Sequence, residues 1–268
     1  GPKVKNYDAK QAETIGHEVL ELVKLNERLN AYPSELSGGM MQRIAVARAL
    51  AAGAKTLLLD EPLGQLDAKV RNEIRYEIRR MAKDLKLTAI HVTHDQAEAM
   101  SISDRIAVMK KGKIVQVGTS QELYMHPNSL FAAYFIGESN FLEGYITKIN
   151  GESEIELRQS LRIKAINTLS IKKSERVVLA IRPETCKMEK GRIAVENSLF
   201  GKVEKTTFEG IVVRYEIRLE NGDRFVINRP SLTEEWLNVG EEVTISYPLD
   251  KAHLFPYPEV GLAEEIKV

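Results

Sequence analysis

Three short segments combine residue types that can handle a phosphate group and a water molecule. Leu36-Ser37-Gly38-Gly39 stands where a helix is expected to begin. A helix N-terminus offers unpaired backbone N–H groups and a positive dipole end, both of which favour phosphate. The Ser37 hydroxyl adds a polar group, and the paired glycines, Gly38 and Gly39, allow close backbone approach. Asp60-Glu61 closes the apolar run Thr56-Leu57-Leu58-Leu59. Ligands of open α/β sheets bind beyond the carboxyl ends of strands. One carboxylate there can hold Mg²⁺, directly or through water, while its neighbour orients an attacking water. His94 lies between a strand and a helix, where an imidazole can touch a transferred phosphoryl group and relay its state. Taken alone, each segment has a plainer reading: a Ser N-cap before a glycine turn, a strand ending in two solvated acids, a surface or capping histidine.

The surrounding elements alternate between helix and strand. Asp8 with Gln11 forms a capping-box pattern, followed by Ile15, Val19, Leu22 and Val23 at helical spacing. A second helix is expected from Ser37 through Leu50. Thr56–Leu59 reads as a strand buried on both faces of a parallel sheet. A long helix after Asp67 carries Ile74, Ile78, Met81 and Leu85 on one side, and Thr88–Thr93 is the next strand. Beyond a short helix, 105–109 and 113–117 read as strands joined by a turn at Lys111-Gly112.

After Gly137 the character changes. Short alternating segments separated by Gly, Asn, Asp and Pro predict an all-β domain from about Ser139. It is internally duplicated: Phe141-Leu142-Glu143-Gly144-Tyr145-Ile146 is echoed by Leu199-Phe200-Gly201-Lys202-Val203, and 175–183 by 241–248. Two similar half-barrels are expected, with a hairpin turn at Glu220-Asn221-Gly222-Asp223.

In this order, the runs LSGGMMQRIAVARAL (36–50), LLLDEPLGQL (57–66) with Asp67, and VTHD (92–95) closely resemble the ATPase family of ABC transporters. Residues 96–100 and 118–127 resemble the importers of sugars, polyamines, iron and oxyanions. In that group a C-terminal OB-like β domain of the transport-associated (TOBE) type follows, and 139–256 is similar to it. The implied fold is an α/β ABC ATPase domain over 1–138, with a helical subdomain to about 52 and a catalytic core from 53. A β-barrel regulatory domain then covers 139–268. The resemblance implies ATP and Mg²⁺ as cofactors, with Asp60 as the Mg²⁺-associated acid, Glu61 as general base and His94 as γ-phosphate sensor. Ser37, Gly38 and Gly39 would bind the nucleotide of the opposite subunit in a dimer, and Asp67 would couple the two sites. It also implies membrane permease partners, a peripheral position on the cytoplasmic face of the membrane, and a β domain suited to a small regulatory ligand or protein.

Two positions depart from the family pattern. Met40 stands where Gln is usual, and Gly64 where the run before Asp67 usually has Ser. The phosphate-cradling pattern G-x-x-x-x-G-K-[ST] occurs nowhere in the chain. The expectation is therefore a chain lacking the segment that carries that loop, inactive by itself, within an intact protein that hydrolyses ATP. The alternative is a fragment that folds and associates without turning ATP over.

Bulk composition excludes other classes. Lys plus Arg and Asp plus Glu each number 38, so no net field draws nucleic acid. A chromosome-maintenance ATPase would need a long coiled coil, and no sustained heptad exists. One cysteine, Cys186, cannot form an internal disulfide and reads as a packing residue.

Overall fold

The computed structural model describes residues 8–64, 68–195, 197–232 and 236–267. The chain divides into two compact units at Ile106/Ala107.

In the first unit, α1 (Ala9–Leu22) begins at the anticipated box: the Asp8 side chain accepts from the Gln11 N–H, and Gln11 answers. Helix α2 (Gly38–Ala51) is capped by Ser37, whose side chain accepts from the Met40 N–H. Strand β1 (Thr56–Asp60), helix α3 (Ala68–Asp84) and strand β2 (Thr88–Val92) follow, then α4 (Gln96–Ile102). β1 and β2 are parallel, with Asp60 opposite Val92. The core joins Val23 and Leu25 after α1, Val46 and Ala47 of α2, Leu57, Leu63, and Ile74, Ile78 and Met81 of α3. Met40, partly buried, also packs against this cluster, so the residue that replaces the usual Gln makes apolar contacts at the margin of the core.

The double-sided burial expected of Thr56–Leu59 does not hold. Leu57 is buried, but Leu58 is 75% exposed, and Ile90 and Val92 of β2 are more than half exposed. Alternation along a strand sends successive side chains to opposite faces. One face meets the core; the other, among the described residues, is open.

The second unit opens with the hairpin β3 (Ile106–Lys110) and β4 (Lys113–Gly118), turned by Lys111 and Gly112 at positive φ. Helices α5 (Ser120–Met125) and α6 (Leu130–Phe135) lead to ten strands: β5 (Asn140–Asn150), β6 (Glu152–Leu157), β7 (Arg162–Ala165), β8 (Arg176–Ile181), β9 (Lys187–Lys190), β10 (Ser198–Phe208), β11 (Val212–Leu219), β12 (Arg224–Pro230), β13 (Glu242–Ser246) and β14 (Ala252–Pro256), then α7 (Leu262–Glu265). Strands begin at Asn140, at the composition shift, yet the compact unit already begins at Ala107 because the preceding helices pack on the β body. Leu130 and Ala133 of α6 share a buried cluster with Val178, Ala180 and Phe255. The buried Arg182 guanidinium donates to the carbonyls of Ala133 and Glu138 and stacks over the Tyr124 ring.

The duplication is visible in the sheets, which run β14-β8-β5-β6-β7 and β12-β11-β10-β13-β9. In each half the first strand is central, and the fifth strand crosses to the other half's sheet. β5 and β10 carry irregularities at matching places, Ile146/Lys148 and Val203/Lys205. A reciprocal pair of asparagines clamps the halves. Asn140 bonds the Val226 backbone of β12 in both directions, while the Asn197 side-chain oxygen accepts from the Lys164 N–H of β7. Cys186 is buried within this body and burial pushes its thiol up to about 12, as fits a packing residue.

Candidate functional site: the carboxyl ends of β1 and β2

Glu61 continues the β1–β2 ladder by one bond, its N–H donating to the Val92 carbonyl at 2.9 Å. The chain then turns sharply: Glu61 has φ +42°, a left-handed conformation uncommon for a residue with a Cβ. The turn is anchored by Leu63, fully buried, and by the Gly64 N–H donating to the Glu61 carbonyl. Such geometry costs on the order of 1–3 kcal/mol and persists only where the surroundings impose it. Here the ladder bond and the buried Leu63 impose it, and the Glu61 carboxylate is sent outward.

It meets His94. His94 Nδ1 lies 3.1 Å from Glu61 Oε1, with the two side chains 76% and 55% exposed. In so open a position the pair contributes little to stability. Its consequence is geometric: the imidazole and carboxylate face a common space at the ends of both strands.

The turn carrying His94 is held from below. His91 and Thr93 point to the face opposite Val92 and His94, and both reach Glu98 of α4. His91 Nε2 is 2.6 Å from Glu98 Oε1, and the Thr93 hydroxyl donates to Oε2 at 2.7 Å. The Asp95 N–H donates to Thr93 Oγ1, and the Glu98 N–H to Asp95 Oδ1. Glu98 is only 3% exposed. From α3, Arg71 and Arg75 approach Asp95 Oδ2 at 3.3 and 3.7 Å. The bond from the Glu98 N–H, helped by Arg75 and Arg71, holds the Asp95 carboxyl below its ordinary value despite desolvation.

The anticipated residues are thus brought together in part. Asp60, Glu61 and His94 share the strand ends. Ser37 and Gly38 are exposed at the start of α2, and Gly39 is buried in the first turn; among the described residues no hydrogen bond or ion pair joins Ser37 to Glu61 or His94. Asp67 lies outside the described residues. The donor set suits Mg²⁺, which is held by one or two carboxylates with waters and substrate phosphates: Asp60 and Glu61 are both exposed acids at adjacent positions. The Glu98 network escaped the motif-based reading. Its signal was present: His91 and Thr93 alternate on one strand face, and Glu98 follows within one helical turn.

The ABC transporter family matches residues 3–64, and the TOBE domain family matches 179–255. Three ATP-binding proteins for spermidine/putrescine import are similar over most of the chain. That of Pseudomonas aeruginosa is 37% identical over 88% of this chain and 67% of its own length. That of Thermotoga maritima is 34% identical over 94% and 71%. That of Clostridioides difficile is 41% identical over 93% and 69%. With a signature segment, an Asp-Glu strand end, a histidine 3.1 Å from that Glu, and relatives of this identity covered over two thirds of their length, the chain belongs to the ATP-binding subunits of ABC importers.

Proposed function

We propose that this chain is the hydrolytic part of an importer's motor, in which Glu61 is the general base and His94 the γ-phosphate sensor. The observation that carries it is the Glu61–His94 approach at the ends of paired parallel strands. Asp60 would hold Mg²⁺, which when bound neutralises phosphate charge. Glu61, turned outward by its left-handed backbone, accepts a proton from the attacking water. His94 orients the carboxylate and reports on the terminal phosphate. Ser37 and Gly38, with Gly39 shaping the helix start, would face nucleotide held by a second copy, and Asp67 would link the two sites. The functional division stays at 138/139, with the β domain open to a regulatory ligand or protein. The names of the relatives support a polyamine as cargo, moved by permease subunits to which this chain docks on the cytoplasmic side of the membrane.

The 268 residues contain no phosphate-cradling loop, and Asp60 and Glu61 without Mg²⁺ would repel a polyanion. We therefore assign phosphate affinity to residues beyond these 268. The exposed Leu58, Ile90 and Val92 face supports this, being apolar surface that further structure would cover. Titration of the 268-residue chain with a labelled ATP analogue and Mg²⁺ is expected to show no tight binding; stoichiometric binding would overturn this assignment.

The catalytic reading is tested by Glu61→Gln in an intact subunit assembled with its partners. Turnover is expected to fall about 10²–10⁴-fold with ATP binding retained, the loss typical of a removed general base. Near-wild-type hydrolysis would sink it.

A further inference from the structure

We propose that Glu98 is the positioning residue of the His94 turn, acting through His91 and Thr93. It rests on the reading of His94 as phosphate sensor, and goes beyond it by naming what keeps the sensor in place.

The hydrogen bonds form a closed circuit around the one residue, His94, that lies between Thr93 and Asp95. The Glu98 carboxylate accepts from the Thr93 hydroxyl; Thr93 Oγ1 accepts from the Asp95 N–H; Asp95 Oδ1 accepts from the Glu98 N–H. Both backbone neighbours of His94 are therefore fixed to α4, while its own ring is left 76% exposed and free to meet Glu61. The second carboxylate oxygen is occupied by His91 Nε2 at 2.6 Å, which must carry a proton to bond a carboxylate. His91 is thereby tied two residues before Thr93, on the same strand face. A carboxylate 3% exposed with both oxygens engaged is an expensive group to bury. A satisfied buried network of this kind specifies one arrangement of the backbone it joins. The exposed pair His94–Glu61 cannot supply that order itself, since interactions at that exposure are weak. A general acid–base site needs its groups held close to the productive geometry, and the circuit is the part of the turn that can do so.

Two variants separate positioning from stability. Thr93→Val keeps shape and branching but breaks the circuit at the hydroxyl. Glu98→Gln keeps the size of the side chain but removes one acceptor. Each is made in the 268-residue chain, and imidazole nitrogen resonances and amide exchange are followed by NMR. In the unaltered chain His91 is expected to carry its proton on Nε2 and His94 on Nδ1. In Thr93→Val, Asp95 amide exchange is expected to rise at least about tenfold, as local opening becomes easier, and His94 is expected to lose its single tautomer. Glu98→Gln is expected to move the His91 proton off Nε2. In the intact, assembled subunit, Thr93→Val is expected to lower kcat about tenfold with KM for ATP unchanged, the pattern of an interaction made only in the transition state. His94→Ala, run beside it, distinguishes the two claims. Wild-type turnover by His94→Ala overturns the sensor reading. Slowed His94→Ala turnover beside unaltered Thr93→Val kinetics and unaltered His94 resonances in both variants overturns the positioning role.

Discussion

At the scale of single residues, the strand ends show how position sets chemical duty. Glu61 and Glu98 are the same side chain in opposite settings. Glu61 is turned into solvent by a left-handed backbone; Glu98 is buried and spends both oxygens on internal donors. Asp95, adjacent to His94, is held by the Glu98 N–H and by Arg75 and Arg71 at a carboxyl value lowered from 3.8. A depressed folded-state value means stabilisation that is present above the unfolded value and lost as pH falls through the folded one. The carbon signal of the Asp95 carboxyl is therefore expected to titrate below 3.8, with α4 amides losing protection over the same range. Titration at or above that value would show that Asp95 does not anchor the turn.

At the scale of elements, close strand approach is purchased with glycine. A Cβ on Gly201 would stand 2.6 Å from the Ile217 side chain and 2.7 Å from the Arg218 carbonyl oxygen; on Gly144, in the matching half, 2.6 Å from the Glu156 carbonyl oxygen. Contacts this short against backbone cannot be relieved by a rotamer change. Gly201→Ala is expected to destabilise the β body by about 1–3 kcal/mol, the usual cost of overpacking a filled site. Gly16 in α1 meets nothing within 4 Å, so Gly16→Ala is expected to stabilise by roughly 0.5–1 kcal/mol through helix propensity. Denaturant midpoints of the two variants measure both signs; a neutral Gly201→Ala would refute the close-approach account.

At the scale of the whole molecule, the two units differ in how much core supports them. Among the described residues, the cluster of the first unit has nine buried apolar members, whereas the largest cluster of the second has twenty-six, shared by both half-barrels. Burial of apolar area is the main favourable term in folding, so the first unit is expected to melt first. Helices α1 to α3 lie in that unit, while the single tryptophan, Trp236, lies in the second. Helical circular dichroism should be lost at a lower temperature than the change in Trp236 fluorescence. Coincident transitions by the two probes would show one cooperative body instead.

Local chemistry made much of this protein legible from its sequence. The Asp8–Gln11 box, the Ser37 cap, the Lys111-Gly112 turn and the duplicated β segments depend on residues close in the chain, and all appear where the pattern places them. The order of signature segment, Asp60-Glu61 and His94 was enough to indicate a family and a chemistry. Tertiary structure alone decided the rest, because it depends on partners distant in sequence. Which face of β1 is open was decided by packing: the first-unit core covers the Leu57 side, and among the described residues nothing covers Leu58, Ile90 and Val92. The exchange of fifth strands between half-barrels arose from pairing across the duplication; α5 and α6 joined the second unit through Arg182 and the α6 cluster, and β3 through Lys110, which bonds Glu265 and lies over the Phe131 ring. The Glu98 circuit needed a helix folded back beneath its preceding strand, since only that contact turns a buried acid into a support for His94.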